Sequence, residues 1–226
     1  MPPLGLLYTF NFMPNPRAMK IMAVANMNNL ELDVTPDFVL RRDNKTPEFL
    51  ADYPMGKVPA FRTADGLKIF ESDAIAQYVA ESGPFYEQLL GHNIAERTII
   101  RQWICMANNE IMEPILPLVL WRVGRRIFDQ KIETINLEKL ERGLNCLEGH
   151  IKERVWVATD AKLSLADISM ASALYWGFKF VIDKEMRHAY PGIMAWYKRT
   201  LESDGVKEAF GEMDLIDKRI VQEEEH

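Results

Sequence analysis

Two short segments carry groups of the kind that hold a small peptide. Gly56-Lys57-Val58-Pro59-Ala60-Phe61 opens an apolar run with a Val-Pro pair, and Phe70-Glu71-Ser72-Asp73-Ala74-Ile75 puts an acid and a hydroxyl where a helical pattern begins. Proline has no N–H to give to a sheet ladder. A cis Val58-Pro59 bond would leave the valine N–H and C=O to a ligand. Those two groups can pair with an extended peptide in the manner of an added strand. At Glu71-Ser72 the free N–H groups of a helix start favour a carboxylate. The Ser72 hydroxyl adds a donor, and Glu71 is placed to pair with an amino group. Ser72 is also expected to cap its helix, because a cap and an anion site draw on the same orphan donors.

Other chemistries are missing from the 226 residues. There is no G-x-x-x-x-G-K-[ST] for a nucleotide, no G-x-G-x-x-G, no H-E-x-x-H and no G-x-S-x-G. The histidines at 92, 150, 188 and 226 show no ligand spacing, so no metal is expected. Cys105 and Cys146 form no C-x-x-C pair, and both are expected to be inert packing inside helices. With 48% hydrophobic and 27% charged residues the chain reads as a globular protein. Its net charge of −6 argues against nucleic acid or an anionic membrane surface as a partner. No apolar run reaches the ~18 residues of a membrane span. The start lacks a basic region followed by a cleavage site, so a cytoplasmic location is expected.

The elements that would position these groups fall into two regimes. Up to about Gly83 they are short and alternate, and Ser82-Gly83-Pro84 is a strong break. We therefore expect domains at 1–83 and 90–226. The first region reads as strand (Leu4 to Phe10), helix starting at Pro16 behind an Asn15 cap, strand (Glu31 to Leu40), helix (Asn44 to Asp52), a hairpin about Asp65-Gly66, and a helix from Ser72. Alternation in the first strand assigns Leu6, Tyr8 and Phe10 to the core face. The second region is helical throughout. Pro114 and Pro117 are expected to end or kink its first helix. Ser164-Leu165-Ala166-Asp167 is a capping box, with Leu163 and Ile168 as its staple. The segment from Gly205 to Ile216 is expected to pack back over the helical bundle, and Gln222 to His226 to fray.

Taken together, the Val58-Pro59 pair, Glu71-Ser72 and the Ser164–Asp167 box resemble the cytosolic glutathione transferase superfamily over nearly the whole chain. The resemblance implies an α/β thioredoxin-like N-terminal domain followed by an all-α C-terminal helical domain. It implies that Val58 and Pro59 hold the cysteinyl part of glutathione, that Ser72 and Glu71 hold its γ-glutamyl end, and that Lys57 reaches its glycyl carboxylate. Glutathione would be a substrate and no metal would be needed. A second substrate, a small hydrophobic electrophile, is expected between the domains beside Met106, Ile115 and Trp121. A homodimer and a role in detoxification are further expectations. Gln102-Trp103-Ile104 and Ala107-Asn108-Asn109-Glu110-Ile111 are similar to the transferase-like domain of the translation elongation factor 1 gamma subunit. That likeness implies an alternative, a noncatalytic interaction module whose partners are elongation factor subunits.

Conjugation needs a thiolate, and an unperturbed thiol has a pKa of about 8.5. The superfamily lowers it with a Tyr or Ser hydroxyl near the first strand's end or the first helix's start. Here the segment is Tyr8-Thr9-Phe10-Asn11-Phe12-Met13-Pro14-Asn15-Pro16-Arg17, and the usual serine place falls near Met13. The substitutes are the positive end of the helix starting at Pro16, an amide from Asn15 or Asn11, or a hydroxyl from Tyr8 or Thr9.

Overall fold

The computed structural model describes residues 2–222, so the expected fraying of the tail falls, from residue 223, outside the described residues. The chain forms two compact units. One comprises residues up to Leu90 with Ser203–Gly211, and the other Gly91–Glu202 with residues from Glu212 onward. No helix among the described residues is long and apolar enough to cross a membrane.

The first unit is a small mixed sheet covered on both faces. Its strands are β1 (Gly5–Tyr8), β2 (Asp33–Val34), β3 (Ala60–Thr63) and β4 (Lys68–Phe70), in the order β2-β1-β3-β4. β2 runs parallel to β1; β3 is antiparallel to both β1 and β4. β2 is far shorter than the Glu31–Leu40 strand expected from sequence. Beyond Val34 the Thr35 N–H and hydroxyl both reach the Leu7 carbonyl of β1, and Pro36 has no N–H to continue the ladder. α1 (Pro16–Met27) and α3 (Ser72–Glu81) pack together, and Tyr78 of α3 meets the ring of Phe61, which pairs in register with Leu7. α2 (Pro47–Asp52) lies against the other face, where Phe49 meets Tyr8 at 5.6 Å. Both faces of β1 are therefore engaged, and Leu7, fully buried, is as much core as Tyr8.

Thr46 caps α2 through Phe49 N–H, and Pro47 takes the first helical position. The hairpin turns at Asp65-Gly66 as its sequence predicts, with Gly66 at φ 94° and Thr63 Oγ1 accepting the Leu67 N–H at 2.8 Å. α4 (Tyr86–Leu90) closes the contiguous part of this unit.

The second unit holds α5 (Ile94–Met106), a π-helical stretch (Ala107–Met112), α6 (Glu113–Arg122), α7 (Gln130–Ile151), α8 (Leu165–Phe180), α9 (Lys184–His188) and α10 (Pro191–Leu201). The two prolines do not end the first of these. Pro114 follows a wide π turn, which leaves room where its ring would strike the preceding turn, and the helix resumes with Pro117 inside it. Gly143 of α7 lies against this stretch so closely that a Cβ would stand 2.6 Å from the Glu110 carbonyl oxygen. Cys105 and Cys146 are exposed, not packing residues as helix placement suggested; each sits on the outer side of its helix.

Of the segment expected over the helical bundle, residues from Glu212 lie in the second unit, with the Ile216 N–H on the Phe178 carbonyl, but α11 (Val206–Phe210) departs from the sequence reading. It packs on α1, in the first unit, and not over the helical bundle. Gly205 makes the approach possible: its φ is 82°, and a Cβ there would stand 2.6 Å from Met27 Cγ. Asn26 Nδ2 donates to the Gly205 carbonyl at 3.1 Å.

The capping box is the polar centre of the second unit. Asp167 is fully buried; Oδ1 accepts from Val157 N–H and Trp196 Nε1, and Oδ2 accepts from Ser164 N–H and Oγ, all at 2.8–3.0 Å. Burial pushes this carboxyl upward from the usual range, and the four donors pull against it. Leu163 and Ile168 are buried on either side. Replacing Asp167 with Ala strands these donors. Asp167→Ala is expected to cost about 3 kcal/mol, read as a lower urea midpoint at unchanged slope.

Candidate glutathione site

The residues singled out around Val58 and Ser72 come together on the first unit, at the start of β3 and the start of α3. The Val58-Pro59 peptide is cis. β3 begins at Ala60, so the Val-Pro pair stands just before the strand instead of opening it. The half-buried Val58 enters none of the turn, loop or cap backbone hydrogen bonds among the described residues. Its side chain rests on the aromatic cluster of Phe38, Phe49 and Tyr53. Asn44, a residue the sequence reading passed over, fixes the approach to it. Buried, it donates from Nδ2 to the Gly56 carbonyl at 2.6 Å and accepts the Arg41 N–H at 2.5 Å. Gly56 sits at φ 55°, where a Cβ would stand 2.8 Å from the Asn44 carbonyl oxygen. The sequence reading made Asn44 the first residue of a helix that in fact starts at Pro47; its signal was only the Asn-Lys-Thr-Pro punctuation before α2. Lys57 is exposed and has no ionic partner among the described residues.

At α3 the structure alters one detail. Glu71, and not Ser72, is the N-cap, and its side chain makes no capping bond. Ser72 is the first helical residue, 6% exposed, and its hydroxyl has no hydrogen bond among the described residues. The first N–H to close a helical bond is that of Ile75, on the Glu71 carbonyl. The N–H groups of Ser72 and Ala74 are thus orphan donors of this turn. Glu71 stands at φ 68° and ψ 117°, a conformation that costs a non-glycine residue about 1–3 kcal/mol.

The β1–α1 loop places the thiol-activator candidates differently from one another. Tyr8 is held in the aromatic cluster, its ring 5.6 Å from both Phe49 and Tyr53 and 6.4 Å from Phe38, and so serves packing. Asn11 is exposed, its amide donating to the Pro36 carbonyl at 2.7 Å. Asn15 is 6% exposed; Oδ1 caps α1 through the Arg17 N–H, and Nδ2 donates to Thr9 Oγ1 at 3.0 Å. One amide hydrogen of Asn15 remains for a ligand. Thr9 Oγ1 is turned to the Phe10 carbonyl. Phe10 and Phe12 stack at 4.6 Å across the loop. Arg17, at the first turn of α1, has no ionic partner among the described residues.

Of the residues expected to line the electrophile pocket, Ile115 is fully buried in the second unit against Gly177 of α8 and is a core residue. Trp121 donates from Nε1 to Glu133 at 2.8 Å beneath the Arg122 guanidinium, which also binds Glu133, so its polar edge is occupied by structure. Met106, half-buried at the end of α5, keeps part of its side chain accessible. No cluster of three metal-ligating side chains occurs among the described residues.

The backbone at Glu71 has a testable consequence. Glycine relieves the positive φ at the expense of a more flexible unfolded chain. Glu71→Gly is expected to raise stability by roughly 1 kcal/mol in urea unfolding. A loss of stability would show that the Glu71 side chain supports the turn.

Comparison with known proteins agrees with this architecture. Residues 6–81 match the model of the glutathione S-transferase N-terminal domain, and residues 109–204 that of its C-terminal domain. The chain is 51% identical to the glutathione S-transferase-like protein LUC7 of Fusarium sp, over 99% of this chain and all of that protein. Its fold is similar to the crystal structure of the GST-like domain of elongation factor 1-gamma from Saccharomyces cerevisiae. The TM-score is 0.82 at 25% identity, over 98% of this chain and 99% of that one. It is also similar to glutathione S-transferase-I bound with lactoylglutathione, with a TM-score of 0.75 at 27% identity, over 91% and 98% of the two chains. With a thioredoxin-like sheet unit, a helical unit and both domain models matched, the chain belongs to the glutathione S-transferase family.

Proposed function

We propose that the chain binds glutathione on its first unit and joins it through its sulfur to a small electrophile. The observation that carries this reading is the uncapped start of α3, with the buried Ser72 hydroxyl unspent, in the same small unit as a Val58 backbone that serves no turn or cap. The γ-glutamyl carboxylate takes the α3 N–H groups and Ser72 Oγ, Glu71 pairs with the amino group, and the Val58 N–H and C=O hold the cysteinyl part. Lys57 supplies charge for the glycyl carboxylate. A structural neighbour in the family, 27% identical, is bound to a glutathione derivative, which supports the ligand class.

The reaction is nucleophilic substitution or addition. The thiol proton leaves to solvent, the sulfur lone pair forms the new S–C bond, and the leaving group departs with its bonding pair. At an activated double bond, a proton from water completes the product instead. Proximity supplies much of the rate. The positive end of α1 and the remaining Asn15 amide hydrogen stand in for the hydroxyl that Met13 replaces.

A second reading has a specific observation behind it. Met13 carries no hydroxyl and Tyr8 is held in the aromatic cluster, while the fold matches a domain of elongation factor 1-gamma. On that reading the chain is an interaction module with little catalysis.

An ultraviolet difference titration of bound glutathione across pH tests both. The expected result is saturable binding with a thiolate band at neutral pH. Binding without thiolate favours the module, and no binding at millimolar glutathione overturns the transferase reading. Ser72→Ala is expected to weaken glutathione binding about tenfold, as for loss of one hydrogen bond to a charged group. An unchanged Kd by calorimetry would remove Ser72 from the site.

A further inference from the structure

The start of α3 contains a contradiction that a buried charge resolves. A helix N-terminus attracts a carboxylate, yet Asp73 stands directly after Ser72 in that first turn and carries the same charge as the ligand. Like charges so placed oppose one another, the more so away from bulk water. The side chain that answers Asp73 is Lys20 of α1. It is 2% exposed, and its ammonium donates to Asp73 Oδ1 in an ion pair joining α1 to α3. Such burial of a lysine is uncommon, because its charged head must give up water. Burial draws the Lys20 ammonium below the ordinary lysine range, and Asp73 and Glu71 act in the opposite direction.

We propose that Lys20 is a positioning residue for the ligand carboxylate: its charge cancels Asp73 beneath the first turn of α3, so that the turn presents a net positive face to an anion. The inference rests on the glutathione reading of that site. It gives a reason for an arrangement that stability does not require, since a well-packed apolar pair of similar volume often serves folding as well as a buried ion pair. The rival role is a staple that joins α1 to α3 and has no bearing on ligand charge.

A charge cycle separates the two. Glutathione Kd is measured by calorimetry for wild type, Lys20→Met, Asp73→Asn and the double variant, each shown folded by its thermal transition. The same set is titrated with glutathione amidated at the γ-glutamyl α-carboxyl. Lys20→Met is expected to weaken glutathione binding tenfold or more. Adding Asp73→Asn is expected to restore affinity to within about threefold of wild type. With the amidated ligand, Lys20→Met is expected to differ little from wild type. Wild-type affinity in Lys20→Met, or a double variant as weak as Lys20→Met, overturns the proposal. So does an equal loss for both ligands, which is the signature of a staple. Absence of glutathione binding by the wild type is a separate result, and refutes the reading of the site itself.

Discussion

The first turn of α3 opens without a side-chain cap, and the first unit has to hold it by other means. An uncapped helix start normally forfeits one or two hydrogen bonds. Here the cap position is occupied by a residue whose side chain does not cap and whose backbone is bent to positive φ. The turn is held from outside instead: Lys20 reaches it from α1, and α1 packs along α3. The β3 hairpin then delivers the chain from Val58 to Glu71 through a short, well-specified turn. What stability the turn forgoes is offset by the packing around it.

The second unit solves a different problem, that of several helices with ends to satisfy. Its polar centre is one carboxylate. Asp167 gathers a loop N–H, a helix cap and an indole into one buried point, and so fixes where α8 starts relative to α10. A similar device recurs at the start of α10, where the Glu148 carboxylate of α7 accepts the Gly192 and Ile193 N–H groups at 2.9 and 2.8 Å. At α10 the carboxylate comes from another helix and at α8 from the helix's own first turn, in both cases with the favourable sign for the helix dipole.

Where a local signal sufficed, the sequence was legible. Asn15-Pro16, Asp65-Gly66 and Ser164–Asp167 each name a cap or turn whose chemistry is contained within four residues, and each appears as read. Helical periodicity likewise gave the long α7. The misreadings share a cause, which is dependence on a distant partner. β2 is short because pairing needs a neighbour as well as strand-forming residues. Cys105 and Cys146 lie on helices whose outward faces could not be oriented from periodicity alone. In the candidate site, Val58, Pro59, Glu71 and Ser72 were readable as a motif, but Asn44, Lys20 and Asp73 were not. Their meaning lies in contacts 12 and 53 residues away along the chain, and no spacing rule carries that information.

The placement of α11 changes how the chain can be built. Part of the surface of α1 is covered by residues near 206–210, held through Gly205 to the end of α1. The unit that carries the candidate site is therefore discontinuous in sequence. During synthesis its sheet and first helices emerge from the ribosome well before the segment that covers α1, and the unit stays incomplete until the whole helical unit has been made. An N-terminal fragment cut at the linker would carry the sheet and the α3 turn but expose the α1 surface that α11 covers. The first unit is thus contiguous in space but not in sequence, and a fragment designed to isolate the site has to join residues up to Leu90 to Ser203–Gly211.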